Sequence, residues 1–276
     1  MLWWLNKALG LVIKIIFRPF ISFNPWVAMI IISLLTALLM LFIYKKTSNQ
    51  EGIKKVKSRI KASLLEMRLY QNDFRTLLTT QKELIQANTR YLLYNLKPLL
   101  IMILPIFLIL AQLNLWFGHK AAKEGETFLL KVRFIEPTDM ERLSLELEVP
   151  EGVLVETPVL KIIDEREADW RLKLERPVNQ PLAIIVNGEK YLKELPTEQK
   201  SLIRISTIRV RKNLWSELLY PGERPIALES AIKQIELSLP EQRLNFLGIG
   251  FHWLVAYFLL SLIFGLALKG FFKVEI

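Results

Sequence analysis

Cysteine is absent from the chain, and histidine nearly so, with only His119 and His252. The first absence excludes disulfides, thiolate metal ligands, cysteine nucleophiles and palmitoylation. The two histidines stand far apart beside apolar stretches, which argues against a histidine metal centre and against a histidine-dependent triad. No GxSxG, HExxH or glycine-rich phosphate loop occurs, so the sequence offers no enzyme and calls for no cofactor.

Charge is missing too, but only locally. Pro25–Tyr44 runs 20 residues without one, Leu99–Phe117 runs 19 and Leu247–Leu268 runs 22. Each is long enough to cross a hydrocarbon core of about 30 Å at about 1.5 Å per residue. Elsewhere charge is plentiful: 37 Lys and Arg against 27 Asp and Glu, a net +10, beside a hydrophobic content of 52%. That segregation is the pattern of a membrane protein with soluble segments.

The charges also predict an orientation. Residues 45–98 hold 12 Lys and Arg against 4 acids, whereas residues 118–246 are nearly neutral at −2. The positive-inside rule places residues 45–98 in the cytoplasm, 118–246 outside and the tail 269–276 inside. The expected location is therefore a multi-pass position in the cytoplasmic membrane, with the N-terminus outside. No cleavable signal peptide is expected, because Lys14 and Arg18 interrupt the first apolar run and no small-residue cleavage site follows.

Residues 1–23 are read as an amphipathic helix in the membrane interface. Lys7, Lys14 and Arg18 fall within about 40° of one another on a helix, with Trp3, Trp4, Leu5, Leu9, Val12, Ile16 and Phe17 around the rest. The alternative is a further span with snorkelling lysines. Residues 45–98 contain no Gly or Pro between Ile53 and Leu96, and their apolar residues recur near a heptad, broken at Gln71-Asn72-Asp73. A basic coiled-coil hairpin is expected, with Asp73 capping its second helix. Lys54, Lys55, Lys57, Arg59 and Lys61 crowd its start, to contact anionic headgroups or, on a second reading, ribosomal RNA or an acidic nascent chain.

Residues 118–246 read as an all-β sandwich. Phe128, Leu130, Val132 and Phe134 alternate, as do Leu143–Val149, Trp170–Leu174 and Ile235–Leu239, and Asn187-Gly188 signals a hairpin. Asp164/Glu165 and Glu167/Asp169 are expected in a solvated loop. Trp215, Leu218, Leu219 and Tyr220 are expected to pack into the core rather than face a partner. Inside the spans, Ser33, Thr36, Gln112, Asn114 and Ser261 either line a polar groove or bond their own helix carbonyls.

The order of segments resembles the YidC-type membrane-protein insertase superfamily. It is most similar to the compact three-span branch that includes archaeal YidC-like proteins and the catalytic-core subunit of the eukaryotic ER membrane complex. The resemblance rests on Asn24-Pro25 opening the first span, the basic run Lys45–Lys61, and Tyr91-Leu-Leu-Tyr-Asn-Leu-Lys97-Pro98 leading into LLIMILP with Pro105. It covers residues 1–117 and 247–272. It implies a protein that inserts hydrophobic segments with short translocated flanks, without ATP, through a membrane-open groove. Ser33, Thr36, Gln112, Asn114 and Ser261 would form that groove, and the hairpin would capture clients. The implied partners are the bilayer, nascent membrane proteins, and the ribosome or acidic headgroups, with an unknown extracytoplasmic partner for the β domain. The chain departs from the pattern in having no charge inside a span, a single hairpin methionine (Met67), and a β domain between the second and third spans. A membrane-anchored scaffold or sensor, with the β domain binding outside and the coiled coil docking inside, is the competing class.

Overall fold

The computed structural model describes residues 2–21, 23–198, 200–246 and 248–275, with residues 2–5 described by their backbone alone. Met1, Ser22, Leu247 and Ile276, which the expected segments include, lie outside the described residues, as do the side chains of Trp3, Trp4 and Leu5. The chain forms two compact units: Met1–Ala28 with Phe107–Trp253, and Met29–Ile106 with Leu254–Ile276.

The longer helices are α1 (Leu2–Phe17), α2 (Pro25–Thr47), α3 (Gln50–Leu69) and α4 (Phe74–Phe117). Among the described residues two are long and apolar enough to cross a membrane, α2 with 23 residues and α4 with 44. The second helix of the expected hairpin and the second expected span are one helix, because Pro98 and Pro105 lie inside α4 without ending it. Each proline removes one backbone donor, a loss that helices tolerate when neighbours re-satisfy the freed carbonyl.

The first unit is built on strands β1 (Thr127–Phe134), β2 (Leu145–Glu148), β3 (Val153–Val155), β4 (Leu160–Ile162), β5 (Glu167–Leu174), β6 (Leu182–Val186) and β7 (Glu189–Lys193). They are followed by β8 (Ile208–Val210), the short helix α5 (Leu214–Leu219), β9 (Ile232–Ser238), β10 (Arg243–Phe246) and β11 (Ile249–His252). All pairings between these strands are antiparallel, in the orders β3-β5-β1-β9-β8, β2-β6-β7 and β10-β11, with β4 also on β5. The first two sheets share one apolar core. The alternating residues Phe128, Leu130, Val132 and Phe134 enter it from β1, and Leu182, Ile184 and Val186 from β6. Asn187 and Gly188 take φ values of 50° and 87°, the left-handed pair that a two-residue hairpin turn requires.

Three expectations are corrected here. Glu167 and Asp169 are not in a solvated loop: they sit on β5, opposite Arg133 and Lys131 of β1. Glu167 is buried and accepts from Lys131 Nζ at 2.9 Å and from Arg133, as opposite charges facing across a ladder do. Trp215 does not enter the core but is 73% exposed on α5. The last apolar run is not helical from its start: Gly248, at φ 85°, closes the β10–β11 hairpin. The helix α6 begins only at Trp253 and ends at Leu268, 16 residues in all.

In the second unit α3 and the first half of α4 form an antiparallel hairpin. Asn49 Oδ1 caps α3 through Gly52 N at 2.9 Å. Asp73 Oδ1 accepts from Arg75 N and Thr76 N, and Asp73 Oδ2 from Thr76 Oγ1, at the start of α4. Arg59 reaches Glu83 across the pair at 3.4 Å. The tail folds back on the hairpin base: Val274 is buried with Leu41, Tyr44 and Ile53, and Glu275 pairs with Lys57 at 2.9 Å.

Burial alone would raise the Glu167 carboxyl, but hydrogen bonds from Arg133 and Lys131 outweigh it and hold the group below its ordinary value near 4.5. The stability this cluster supplies is therefore complete above that ordinary value and is lost as the pH falls through the lower folded one. Glu167→Gln is expected to cost about 1.5–3 kcal/mol at neutral pH. The gap to the wild type should narrow as the pH falls from neutral to below the ordinary carboxyl value. Thermal unfolding at both pH values checks this, and a gap that stays constant would exclude the charge as its cause.

Candidate functional site

Three helical faces in the second unit line an open cavity of about 330 Å³. Thr36, Ala37, Met40, Leu41 and Tyr44 recur on α2 at steps of three and four, which puts them on one face. Asn95, Leu99 and Met102 do the same on α4, and Ser261 and Gly265 on α6. The walls are mostly aliphatic, and the small side chains at Ala37 and Gly265 leave the space.

The polar atoms around this cavity are unevenly satisfied. Thr36 Oγ1 donates to Ile32 O at 2.8 Å, the back-bond that a hydroxyl on an apolar helix commonly makes. Ser33, fully buried one turn earlier, makes no such bond, and neither does Ser261. Tyr257, one turn before Ser261 and 1% exposed, directs its hydroxyl toward Thr36 and Ser261 without reaching hydrogen-bond geometry with either. At the other end Tyr44 donates to Asn95 Oδ1, and Asn95 Nδ2 donates to Tyr91 O at 2.7 Å. A buried hydroxyl without a partner costs about 1–3 kcal/mol. Of the three, Ser261 lines the cavity, where water or another chain's polar groups would satisfy it, while Ser33 and Tyr257 stand one turn from Thr36 and from Ser261 on their own helices.

Gln112 and Asn114 do not line this cavity. Both belong to the first unit, where Gln112 Nε2 donates to Asn6 O on α1 at 2.9 Å. Gly10 lets the helices meet there, since a Cβ at that position would stand 3.1 Å from Gln112 Oε1. Asn114 lies against Gly118, where a Cβ would overlap its side-chain oxygen. Phe17 adds edge-on ring contacts to Trp116 and Phe117 at 5.2 and 5.7 Å. These residues hold α1 in place.

Of the basic run, Lys54, Lys55, Arg59 and Lys61 are exposed, while Lys57 is committed to Glu275. No group of three or more His, Asp or Glu side chains able to hold a metal occurs among the described residues. The sequence reading missed Tyr257 and Asn95. Tyr257 was detectable as the residue four before Ser261, on the same helical face. Compared with protein-family models, curated proteins and solved structures, the chain matches none.

Tyr257→Phe removes a hydroxyl that has no partner and is expected to leave the unfolding temperature unchanged or raise it. Tyr44→Phe breaks a bond and should cost about 1 kcal/mol. Thermal unfolding of the detergent-solubilised protein distinguishes the two, and the reverse order would mean that the Tyr257 hydroxyl is bonded.

Proposed function

We propose that the chain is a non-enzymatic insertase or chaperone for membrane proteins, of the YidC type. α2, the apolar half of α4 and α6 are its three spans. The hairpin and tail are cytoplasmic, as the charge of residues 45–98 argues. α1 and the β domain lie on the outer side. The observation that carries this reading is a cavity between apolar helices lined by the polar side chains of Thr36, Tyr44, Asn95 and Ser261, with the Ser261 hydroxyl unbonded. Anchoring helices have no use for such groups. A groove that must accept the short polar flank of an entering segment does, because moving a charge through hydrocarbon costs at least about 2.5–3.5 kcal/mol and polar, wettable walls reduce that cost.

Two further features support it. α6 has 16 residues, about 24 Å of helix at about 1.5 Å per residue, short of the roughly 30 Å of a bilayer core. A short span thins the lipid around it, and Ser261 is on that span. The hairpin tip also carries exposed apolar side chains, Leu65, Leu69, Tyr70, Phe74 and Leu78. Such a tip suits the first contact with a hydrophobic client.

Photocrosslinkers placed at Thr36 and Ser261 should capture a nascent membrane protein with a short translocated N-terminus, whereas one at the exposed Leu266 should capture lipid. Replacing Ser33, Thr36 and Ser261 together by Leu should reduce insertion of that client several-fold. Crosslinks confined to lipid or to one stable partner, with insertion unchanged, would leave the chain a scaffold.

A further inference from the structure

The tail after α6 occupies a seat of its own at the base of the α3–α4 hairpin. Phe272 N and Val274 N donate back to Leu268 O and Lys269 O at 3.2 and 3.0 Å, and Lys273 takes a φ of 52°. The chain therefore turns on itself and presents Val274 and Glu275 to α2 and α3. Val274 is buried among Leu41, Tyr44 and Ile53, with Phe272 partly buried beside it.

Glu275 is held at its main chain and at its side chain. Its N–H donates to Gln50 Oε1 at 2.7 Å, its carbonyl stands 3.4 Å from the Tyr44 hydroxyl, and its carboxylate takes Lys57 Nζ at 2.9 Å. The partners are themselves oriented, since Gln50 Nε2 donates to Ser48 Oγ and Tyr44 donates to Asn95 Oδ1. The hydrogen bond and charge of Lys57, with the charges of Lys54 and Lys61 behind them, hold the Glu275 carboxyl below its ordinary value. Main chain read by polar side chains, an apolar residue read by a pocket and an acid read by a cation are the elements of peptide recognition.

This seat adjoins the cavity of the second unit. Leu41, Tyr44 and Met102 line that cavity and also pack in the cluster around Val274. The hold on the tail is light, for Phe271 is 84% exposed and the Lys57–Glu275 pair lies within reach of water. A segment of similar chemistry can therefore exchange with it.

We propose that the seat is a peptide-binding site, occupied here by the chain's own tail, which guards the adjoining cavity until a client segment displaces it. The displacing segment carries an apolar side chain followed by an acidic one, to take the places of Val274 and Glu275. The site stands on the contacts around the tail, whereas its part in admitting clients rests on the insertase reading.

The test uses the full-length protein in detergent and a fluorescent, amidated peptide of residues 270–275, with binding read by anisotropy. Val274→Ser with Glu275→Ser detaches the tail and should tighten peptide binding at least about tenfold over the wild type, because the competitor in cis is gone. Lys57→Gln added to that variant should weaken binding about three- to fivefold. A peptide carrying the Val274→Ser change should bind about tenfold more weakly. Equal binding by the wild type and the tail variant, or indifference to Lys57 and to the valine, would overturn the site. In reconstituted vesicles the tail variant should insert a model client several-fold faster than the wild type. Equal rates of insertion would overturn the guarding role. Insertion by neither protein, with peptide binding as expected, would overturn the insertase reading and leave the site standing.

Discussion

A polar group carried on an apolar helix must find a partner close by, since no water waits around it. Much of the helical part of the molecule can be understood as answers to that demand. Thr36, Thr47 and Ser48 turn their hydroxyls back onto carbonyls four residues earlier, the cheapest answer available. Gln112 Nε2 and Asn6 Nδ2 donate to distant main chain, which ties α1 in place, while the oxygens of the same two amides find no partner. Ser33, Tyr257 and Ser261 have no answer. The contrast between neighbours such as Thr36 and Ser33, on the same helix, gives the cavity beside them its functional interest.

The β domain was legible wherever a strand faced the core on one side only. The alternation of β1 and the Asn187-Gly188 turn were both evident, because burial with a period of two leaves its mark on composition. Asp73 was legible as a cap for the same local reason. The β10–β11 hairpin was not. Ile249 and Phe251 are as apolar as any membrane helix, and only Gly248 and Gly250 hinted that the backbone turns there before the helix starts. Glu167 was misread because its partners lie on a strand more than thirty residues away in sequence. Nothing near an acid in the sequence says whether a distant Arg or Lys will cover it.

The candidate groove was half legible. Thr36 and Ser261 could be placed from their mid-depth in charge-free runs, but Gln112 and Asn114, toward the end of the second run, serve the seating of α1. Spacing along a helix gives the face on which a residue lies, not what that face meets. Tyr257 was overlooked because an aromatic ring counts as apolar until its hydroxyl is considered, and Asn95 because it lies at the join of two expected segments that are one helix. The exposed Trp215 shows the same limit from the other side: a hydrophobic stretch beside a β core need not enter it.

Trp26 opens α2 with its indole nitrogen donating to Asn245 O at 2.7 Å and its ring against Phe246 and Phe251 of the β10–β11 hairpin. Aromatic clusters of this kind settle at the boundary between lipid and water. The first turn of α2 is thereby tied to the tip and base of a two-stranded ribbon, so a change at Phe246 or Phe251 is felt where the helix begins, more than two hundred residues away in sequence.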